Sequence, residues 1–446
     1  MAQVIVIGAG AMGLAAAYQA AKAGHRVLLL EAAPEPGGMA AHFDFDGLSI
    51  ERFYHFVCKA DSATFELLDE LGMGDDMRWR TTSMGLFSGG KLHEWGNPLA
   101  LLRYPGVSLL SRLRYGLLAF VSTKRRRWDA LETQSAKEWI TRWSGREVYE
   151  KLWKPLFDLK FYQYADNISA AWIWTRVKRI GNSRKSMFEE ELGYIEGGSQ
   201  ALVDRLVDRI EALGGEIRLS APVTEIVSED GRVSGVRAGG EFLPADHVIS
   251  TMPTPLVART VPSLPEDWKQ SYESIENIGV VCLLFKLSRS VTPHFWVNIA
   301  EPDIEIPGII EFSNLRPVRD TIVFVPYYMP VTNPKFTWPD QKLIDEAFGY
   351  IRRINPAIER ADIVATYVGR LRHAQPVCEP GFAAKIPPVQ TPIAGLQIAD
   401  TCFYYPEDRG ISESVRLGKE MAARIGAESP DSANRPSPAE PERVTT

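Results

Sequence analysis

The sequence predicts an α/β protein in which a Rossmann-like nucleotide-binding domain is discontinuous and is combined with a second, α+β domain and a helical insert. A strand, a glycine-rich turn, a helix and a second strand follow one another over residues 4–31. Signals of the same type return at residues 197–250 and 396–425. The chain has 446 residues, 45% of them hydrophobic, so more than one domain is expected.

The first turn carries the nucleotide-binding signal. Residues 4–7 are all apolar, which suits a strand buried on both faces. After this strand the glycines allow a tight bend, a close approach of the backbone to a pyrophosphate, and close packing of the helix over 11–23. That helix directs its first amides and its partial positive charge at the phosphates. The predicted cofactor-binding residues of this turn are Gly8, Gly10, Ala11, Met12 and Gly13.

An acidic residue closes the second strand. The carboxylate of Glu31 would accept hydrogen bonds from ribose hydroxyls and repel a 2′-phosphate, which indicates FAD or NAD rather than NADP. Gly37 and Gly38 follow and offer a second close backbone approach, which suits a dinucleotide that runs deeper into the protein. We therefore expect FAD as the cofactor.

Two later segments complete the nucleotide signature. After a Gly-Gly pair, residues 199–213 predict an amphipathic helix, and residues 216–250 predict four short strands with a hairpin turn. Residues 396–400 predict another buried strand, which leads to a helix over 411–425. Gly410, at the start of that helix, again offers amides to an electron-rich group, here a flavin carbonyl or N1.

These segments divide the chain. We expect a discontinuous FAD-binding domain at 1–75, 190–260 and 386–426, a helical insert at 76–189, and a strand-rich part of the substrate domain at 261–385. The tail at 427–446 is rich in Pro, Ser and Glu and is expected to be disordered.

Composition excludes several classes of protein. A net charge of −6, from 50 basic and 56 acidic residues, gives no nucleic-acid-binding signature. The four cysteines are widely spaced, which argues against a zinc site or a disulfide framework and favours the cytoplasm. No metal-ligand cluster is visible. The first apolar run is a strand rather than a signal peptide, and no apolar stretch reaches the roughly 18 residues of a membrane-spanning helix.

These motifs resemble those of the flavin-containing amine oxidase superfamily, most of all its protoporphyrinogen oxidase-like branch. The resemblance covers about residues 1–60, 190–252 and 390–425. It implies specific cofactor contacts, which are Glu31 at the adenosine ribose, Val223 at adenine through its backbone, Asp400 at the ribitol chain, and Gly410, Ile411 and Ser412 at the isoalloxazine.

The sequence departs from the superfamily pattern at functional positions. Met39 stands where an arginine usually follows the Gly-Gly pair and reaches the pyrophosphate, and Arg52 is the nearest candidate to replace it. Val281 or a neighbour stands where amine oxidases have a lysine, and Ile411 stands where they have an aromatic residue over the flavin. We therefore expect that simple amines are not oxidised.

The helical insert contains an amphipathic helix followed by basic residues. Leu109, Leu113, Leu117 and Phe120 lie on one stripe of the segment 108–127, which ends in a basic run. Two interpretations are open: peripheral contact with an anionic membrane, or packing of a surface helix on the flavin domain. We favour the second, because amphipathic helices are the norm in globular proteins. The sequence predicts no oligomeric state.

Three residues are candidates for catalysis. Tyr54 and His55 follow the Gly-Gly loop and are expected to approach the isoalloxazine, and Tyr404 precedes the turn at Gly410. Histidine has a pKa suited to proton transfer near neutral pH, although a histidine among aromatic residues is more often part of a core. Many aromatic residues lie between 139 and 174, and a wide apolar cavity there would admit a bulky or lipid-like small molecule.

The leading functional hypothesis is an FAD-dependent oxidoreductase that removes hydride from a C–H bond of a bulky, apolar substrate. The alternative comes from the superfamily relative UDP-galactopyranose mutase, which has a histidine-bearing segment where this chain has residues 54–56 and which uses reduced flavin in a non-redox sugar isomerisation. A flavin-binding scaffold without turnover is a third reading. Sustained consumption of hydride distinguishes the first two.

Overall fold

The computed structural model describes residues 1–426, so the predicted disordered tail at 427–446 lies outside the described residues. The strands, in chain order, are β1 (Gln3–Ile7), β2 (Arg26–Leu30), β3 (His42–Asp44), β4 (Ser49–Glu51), β5 (Met77–Thr82), β6 (Met84–Ser88), β7 (Lys91–Trp95), β8 (Glu190–Ile195), β9 (Glu216–Arg218), β10 (Val223–Glu229), β11 (Arg232–Ala238), β12 (Glu241–Pro244), β13 (His247–Ser250), β14 (Asn277–Leu287), β15 (Trp296–Ile299), β16 (Gly308–Glu311), β17 (Thr321–Met329), β18 (Ile363–Pro376) and β19 (Leu396–Ile398).

The helices connect these strands and build the insert. They are α1 (Ala11–Lys22), α2 (Ser62–Leu71), α3 (Pro98–Arg103), α4 (Leu109–Lys124), α5 (Asp129–Glu132), α6 (Ala136–Ser144), α7 (Arg146–Val148), α8 (Lys154–Phe161), α9 (Ala170–Asn182), α10 (Ser199–Ala212), α11 (Val257–Thr260), α12 (Glu266–Glu273), α13 (Asp340–Ile354) and α14 (Ile411–Ala423). A π-helical turn, Tyr149–Trp153, joins α7 to α8.

The nucleotide-binding domain is built on a five-stranded parallel sheet in the order β19-β13-β1-β2-β9. Helices α1, α10 and α14 cover one face of it. The antiparallel sheet β10-β11-β12 and the segment with α11 and α12 cover the other face. Because both faces are buried, β1 has apolar residues at four consecutive positions. The predicted Rossmann-like α/β fold is thereby confirmed.

The second domain contains a seven-stranded sheet in the order β18-β14-β17-β16-β15-β6-β7. Its pairs are antiparallel except β6 with β15. Strand β14 shows how this sheet is buried on both sides. Its even-numbered positions from 278 to 284 pack towards the helices of the insert, and its odd-numbered positions from 281 to 287 pack under α13.

The predicted helical insert is not wholly helical. Strands β6 and β7, within 76–189, pair with the strand-rich part of the chain and complete the seven-stranded sheet. Strand β5 pairs with β8 at the edge of the flavin domain. The sequence missed these strands because each is only five or six residues long. Strands β5 and β7 are largely exposed and β6 is buried at three consecutive positions, so none shows a clear apolar alternation. The domain boundaries themselves stay a prediction.

Helix α4 packs on other helices of the insert, chiefly α3, α6 and α9. Its buried positions are Ser111, Leu118 and Ser122, and the Trp174 Nε1–H donates to the Ser122 carbonyl at 3.0 Å. The expectation that α4 packs on the flavin domain is therefore wrong. The helix packs on the insert through Ser111, Leu118 and Ser122, and not through its leucine stripe. Across residues 1–426, each helix is too short or too polar to cross a bilayer.

Candidate functional site

The first glycine turn brings strand β1 and helix α1 into direct contact. Gly8 has φ +97°, a backbone conformation that glycine adopts without strain. A Cβ atom placed on Gly13 would lie 1.8 Å from the Gly8 carbonyl oxygen, so only glycine fits there. The first helical hydrogen bond runs from Leu14 N–H to Gly10 C=O at 2.9 Å. The amides over 11–13 therefore have no helical acceptor and face outward at the positive end of α1.

A second glycine loop closes against the first. The Gly37 N–H donates to the Ala9 carbonyl at 2.8 Å. A Cβ on Gly38 would lie 3.1 Å from the Gly10 Cα. These approaches leave room for a narrow, extended phosphate linkage bounded by backbone rather than by side chains. The two glycine motifs thus lie against each other in the structure, and their contact with a dinucleotide stays a prediction.

Glu31 lies beside these loops, at the carboxyl end of β2. Its Oε2 accepts the Ala9 N–H at 2.6 Å and its Oε1 accepts the Ala33 N–H at 2.8 Å. Each carboxylate oxygen keeps a further lone pair that can accept a ribose hydroxyl. The Ala221 N–H donates to the Glu31 carbonyl at 2.8 Å. The chain therefore passes Glu31 just before β10, which brings Val223 to the same edge of the sheet. The predicted adenosine-side residues therefore lie together.

The predicted substitute for the missing arginine has a suitable position. Met39 is half-buried behind the Gly-Gly loop. Arg52 reaches this loop, with its Nη2 at 3.3 Å from Glu35 Oε2. Among the residues described, its buried Nε has no hydrogen-bond partner. Binding of the pyrophosphate by Arg52 stays a prediction.

The motif near the end of the described chain, residues 396–412, places the start of helix α14 next to the start of helix α1. Helix α14 begins at Ile411, with Gly410 before it, and Ser412 is buried. A Cβ on Gly418 would lie 2.3 Å from the Met12 carbonyl oxygen, so α14 packs directly on α1. Both helices follow parallel strands, β1 and β19, and therefore begin at the same edge of the sheet.

Asp400 is committed to backbone groups. Its Oδ2 accepts the Thr254 N–H at 2.6 Å and its Oδ1 accepts the Cys402 N–H at 2.8 Å. The carboxylate, which is buried, therefore joins the loop after β13 to the loop after β19. A contact with the ribitol chain stays a prediction, and the structural role is the one the contacts show.

The three catalytic candidates have different environments. Tyr404 is 2% exposed in the core of the flavin domain and its hydroxyl bonds the Ser414 Oγ at 2.8 Å, so its contacts are structural, and a catalytic role for it stays a prediction. Tyr54 and His55 are half-buried on the substrate side. Burial lowers the pKa of His55, and among the described residues its buried Nδ1 has no partner. His55 is therefore neutral at pH 7 and able to accept a proton.

An aromatic wall surrounds Tyr54. Its ring centroid lies 5.4 Å from that of Trp296 and 5.7 Å from that of Phe324, both at edge-to-face angles. Its hydroxyl lies 3.4 Å from the hydroxyl of Tyr328, which in turn accepts a hydrogen bond from Arg409 Nη2 at 3.2 Å. Because Arg409 precedes Gly410, this wall faces the turn predicted to bind the isoalloxazine.

Sequence reasoning missed a cationic group at this wall. The Lys160 Nζ lies 4.9 Å from the centroid of the Tyr328 ring. Arg176 Nη2 donates to Asp408 Oδ1 at 2.6 Å, and the Asp408 carboxylate also accepts the Arg409 N–H at 2.9 Å. The available signal was a single lysine, Lys160, on the same face of α8 as Leu156, within an otherwise apolar stripe.

The residues predicted to stand at the amine oxidase lysine lie on two different faces of β14. Val281 packs on the outer face of the seven-stranded sheet, under α13, so it does not face the aromatic wall. Its neighbours Val280 and Cys282 pack on the inner face together with Tyr54. Of the predicted residues, Val281 or a neighbour, the neighbours Val280 and Cys282 are therefore the ones on the substrate side, and their match to the lysine position stays a prediction.

The fold and the two glycine turns define a flavoprotein of the oxidoreductase class with a nucleotide-binding and a substrate domain. The model of the family "Flavin containing amine oxidoreductase" matches residues 13–394. The chain therefore belongs to this family, which confirms the predicted superfamily and its flavin cofactor class.

The similar proteins include carotenoid desaturases. The chain is 24% identical over 369 residues to the 15-cis-phytoene desaturase of Solanum lycopersicum, covering 78% of this chain and 60% of that protein. It is 23% identical over 320 residues to the 15-cis-phytoene desaturase of Synechococcus elongatus (strain ATCC 33912 / PCC 7942 / FACHB-805), covering 65% and 66%. The matched region thus spans less than two thirds of these relatives.

Solved structures share the fold. A putative protoporphyrinogen oxidase from Exiguobacterium sp. 255-15 superposes with a TM-score of 0.71 at 19% identity, covering 94% of this chain and 98% of that one. A reduced UDP-galactopyranose mutase superposes with a TM-score of 0.74 at 15% identity, covering 95% of each chain. At these identities the likeness establishes the fold alone.

The glycine contact at the first turn yields a direct prediction. Gly13→Val forces α1 away from β1, because even a Cβ at this position meets the Gly8 carbonyl at 1.8 Å. We expect purified Gly13→Val to carry no flavin, measured as FAD released into the supernatant by acid precipitation. Gly349→Ala is the matched control, because nothing lies within 4 Å of a Cβ there. Wild-type flavin content in Gly13→Val contradicts the assigned turn.

A second prediction concerns the ribose contact. We expect Glu31→Ala to weaken FAD binding by about 1–3 kcal/mol, or roughly 5- to 150-fold in Kd, because a charge-assisted acceptor is lost. Titration of apoprotein with FAD measures this change. Glu216→Ala, which removes an exposed carboxylate on neighbouring β9, should leave the Kd unchanged. If the two variants bind FAD with equal affinity, Glu31 does not contact the cofactor.

Proposed function

We propose that the protein is an FAD-dependent oxidoreductase that removes hydride from a C–H bond of a bulky, mainly apolar small molecule, with oxygen or a quinone-like compound as the electron acceptor. The observation that carries this proposal is the aromatic wall of Tyr54, Trp296, Phe324 and Tyr328 opposite the turn at Gly410. Aromatic faces bury large apolar ligands and keep water away from the reacting bond.

FAD fits the backbone features of the nucleotide domain. The close approach of Gly10 and Gly38 suits a pyrophosphate, and the free amides over 11–13 supply donors to it. Glu31 supplies an acceptor for the ribose. When bound, the flavin would supply the two-electron chemistry. The residues of the chain bind it, orient the substrate against it and exclude water.

His55 is the proposed proton acceptor. Loss of hydride from one carbon of a saturated substrate requires loss of a proton from the next, and a neutral imidazole accepts that proton. Burial keeps the pKa of His55 below its ordinary value of 6.5, so the basic form predominates at neutral pH. The rate at saturating substrate should therefore fall on acidification below the ordinary histidine pKa of 6.5, because His55 is then protonated.

A sugar mutase is the second candidate. The segment over 54–56 carries His55 in the arrangement expected of that class, and the cationic group with Lys160, Arg176 and Arg409 suits a diphosphate. A mutase requires reduced flavin and consumes no hydride. The dehydrogenase is favoured because aromatic and aliphatic side chains make up most of the wall around Tyr54.

Anaerobic flavin reduction tests the two functions against each other. We expect apolar isoprenoid and polyene precursors to bleach the flavin, and primary amines and polyamines to bleach it more slowly than about 1 per second, because Ile411 and the apolar inner face of β14 replace the amine-binding groups. His55→Gln should lower the bleaching rate by about 10²- to 10⁴-fold without loss of FAD.

Three other outcomes would contradict the proposed dehydrogenase or its expected selectivity. Turnover of UDP-galactopyranose by the dithionite-reduced protein, without net flavin oxidation, would establish the mutase. Fast bleaching by an amine would mean that the amine-binding positions are wrongly placed. If the flavin reacts with none of these compounds, the remaining hypothesis is a flavin-binding scaffold without turnover.

We further propose that α4 contacts an anionic membrane from which an apolar substrate is taken. The apolar stripe of α4 is uncovered, with exposed fractions of 59% at Leu109, 56% at Leu113, 53% at Leu117 and 61% at Phe120. Apolar side chains of α3 are exposed beside it. Basic residues follow directly at 124–127, and their charge complements anionic lipid headgroups.

Vesicle binding tests this surface. We expect wild type to co-sediment with vesicles containing phosphatidylglycerol, more weakly as salt rises, and to bind neutral phosphatidylcholine vesicles poorly. Leu113→Glu/Leu117→Glu should abolish binding while flavin content stays normal, because both side chains are already exposed to water. The control Leu213→Glu/Val364→Glu changes two exposed apolar residues elsewhere. Equal binding by both double variants, or none by wild type, removes the membrane proposal.

A further inference from the structure

A half-buried cationic cluster lies where the predicted flavin turn meets the substrate sheet. It consists of Lys160 on α8, Arg176 on α9, and Asp408 and Arg409 in the turn before α14. Three cations thus accompany one carboxylate in a half-buried region. Cations that are partly removed from water are costly unless they are paired, so this excess of positive charge favours binding of an anion.

The two arginines are largely committed to protein groups. Arg176 donates to Asp408 Oδ1 at 2.6 Å and to Gln375 Oε1 at 3.3 Å, and it stacks 3.9 Å above the Trp172 ring. Arg409 donates from Nη1 to the Ala374 carbonyl and from Nη2 to the Tyr328 hydroxyl at 3.2 Å. Each arginine is therefore held in place by at least two hydrogen bonds.

Two polar groups of this cluster are left without a partner. Within residues 1–426, no ion pair or hydrogen bond involves the Lys160 ammonium group, which lies over the face of the Tyr328 ring. In the same part of the chain, the buried Nε of Arg176 has no acceptor. An ammonium and a guanidinium N–H that both lack acceptors point independently to an anionic ligand.

Three carboxylates on and around α8 already have cationic partners. Asp158, on the same helix as Lys160, pairs with Lys154 at 2.6 Å. Asp166, in the segment after α8, pairs with Lys137 at 2.6 Å. In the π-helical turn before α8, Glu150 pairs with Arg146. The groups that face Lys160 are therefore Arg176, Asp408, Arg409 and the phenols of Tyr328 and Tyr54.

We propose that Lys160 is a specificity-determining residue that binds an anionic group, a carboxylate or a phosphate, on the apolar substrate. This inference rests on the proposed function, because it takes the aromatic wall as the substrate site. The substrate is then an amphiphile with its charged group held at Lys160 and Arg176. Its apolar body lies along the rings of Tyr54 and Trp296, beside the turn at Gly410.

The charge of Lys160 depends on pH in the physiological range. Burial, together with the nearby Arg176 and Arg409, lowers the pKa of Lys160 to about 7. The ammonium form therefore predominates at pH 6 and the neutral amine at pH 8.5. An anion favours the protonated form, so its affinity should fall as the pH rises through this interval.

Three twelve-carbon probes distinguish charge recognition from apolar binding: dodecanoate, dodecyl phosphate and dodecanol. Binding to the flavin-loaded protein is measured by tryptophan fluorescence and by perturbation of the flavin spectrum, neither of which needs turnover. At pH 6 we expect wild type to bind at least one of the anions about tenfold more tightly than dodecanol. This preference should fall by roughly tenfold at pH 8.5, since a group with a pKa near 7 is deprotonated there. The two anionic probes separate a carboxylate from a phosphate as the preferred group.

Variants of one helix provide the controls. Lys160→Gln should lose both the preference and its pH dependence, whereas Lys160→Arg should keep the preference at pH 8.5, because arginine stays charged. Lys154→Gln, on the same helix but at the surface, should behave as wild type. Flavin content and thermal melting of each variant identify any loss of folding, and Lys160→Met then replaces an unstable Lys160→Gln.

The outcomes separate this inference from the proposed reaction. Equal binding of the anions and dodecanol by wild type, or an unchanged preference in Lys160→Gln, overturns the role of Lys160 even if the flavin is bleached by neutral substrates. A Lys160-dependent preference supports the role even if no hydride transfer is found. In that case the anion site serves a reaction other than the proposed dehydrogenation.

Discussion

Helix α1 makes close backbone contacts on two sides, with the turn after β1 and with helix α14. The site depends on these two contacts. Gly13 meets the Gly8 carbonyl of the turn after β1, and Gly418 of α14 meets the Met12 carbonyl of α1, both at distances that exclude a Cβ atom. The two helices are therefore fixed against the sheet and against each other. Since they follow parallel strands, their amino-terminal ends open at the same sheet edge, where phosphate and ring can be bound by amides.

The seven-stranded sheet lies opposite this edge, and both of its faces are buried. Strand β14 buries even-numbered residues under the insert helices and odd-numbered residues under α13, so a shift of one residue would exchange the two sets. This fixes which side chains of β17 face the flavin turn, and Tyr328 is among them. The hydrogen bond from Arg409 to Tyr328 then joins the two domains at the site.

Local motifs made the nucleotide domain predictable, whereas the substrate side depends on contacts between distant segments. The turn at Gly8, the acid Glu31 and the helix start at Ile411 follow from spacing within short stretches, and the structure has each of them. Tyr404 precedes the same turn but points into the core, because a residue's position in the chain does not give the direction of its side chain. Val281 packs under α13 whereas its neighbours face the substrate side, because successive residues of a strand point to opposite faces.

Lys160 shows the limit of sequence reasoning most clearly. In the sequence it is one lysine near the end of a short helix, a place where a lysine usually reaches solvent and interacts favourably with the helix dipole. Only the tertiary structure brings it to Tyr328 and close to Arg176 and Arg409, which lie 16 or more residues away along the chain. A site built for stability alone would place an apolar side chain there, because an unpaired cation that is partly removed from water costs free energy. Retention of that charge beside the flavin turn is therefore best explained by a ligand that neutralises it, and the apolar body of that ligand lies on the aromatic wall.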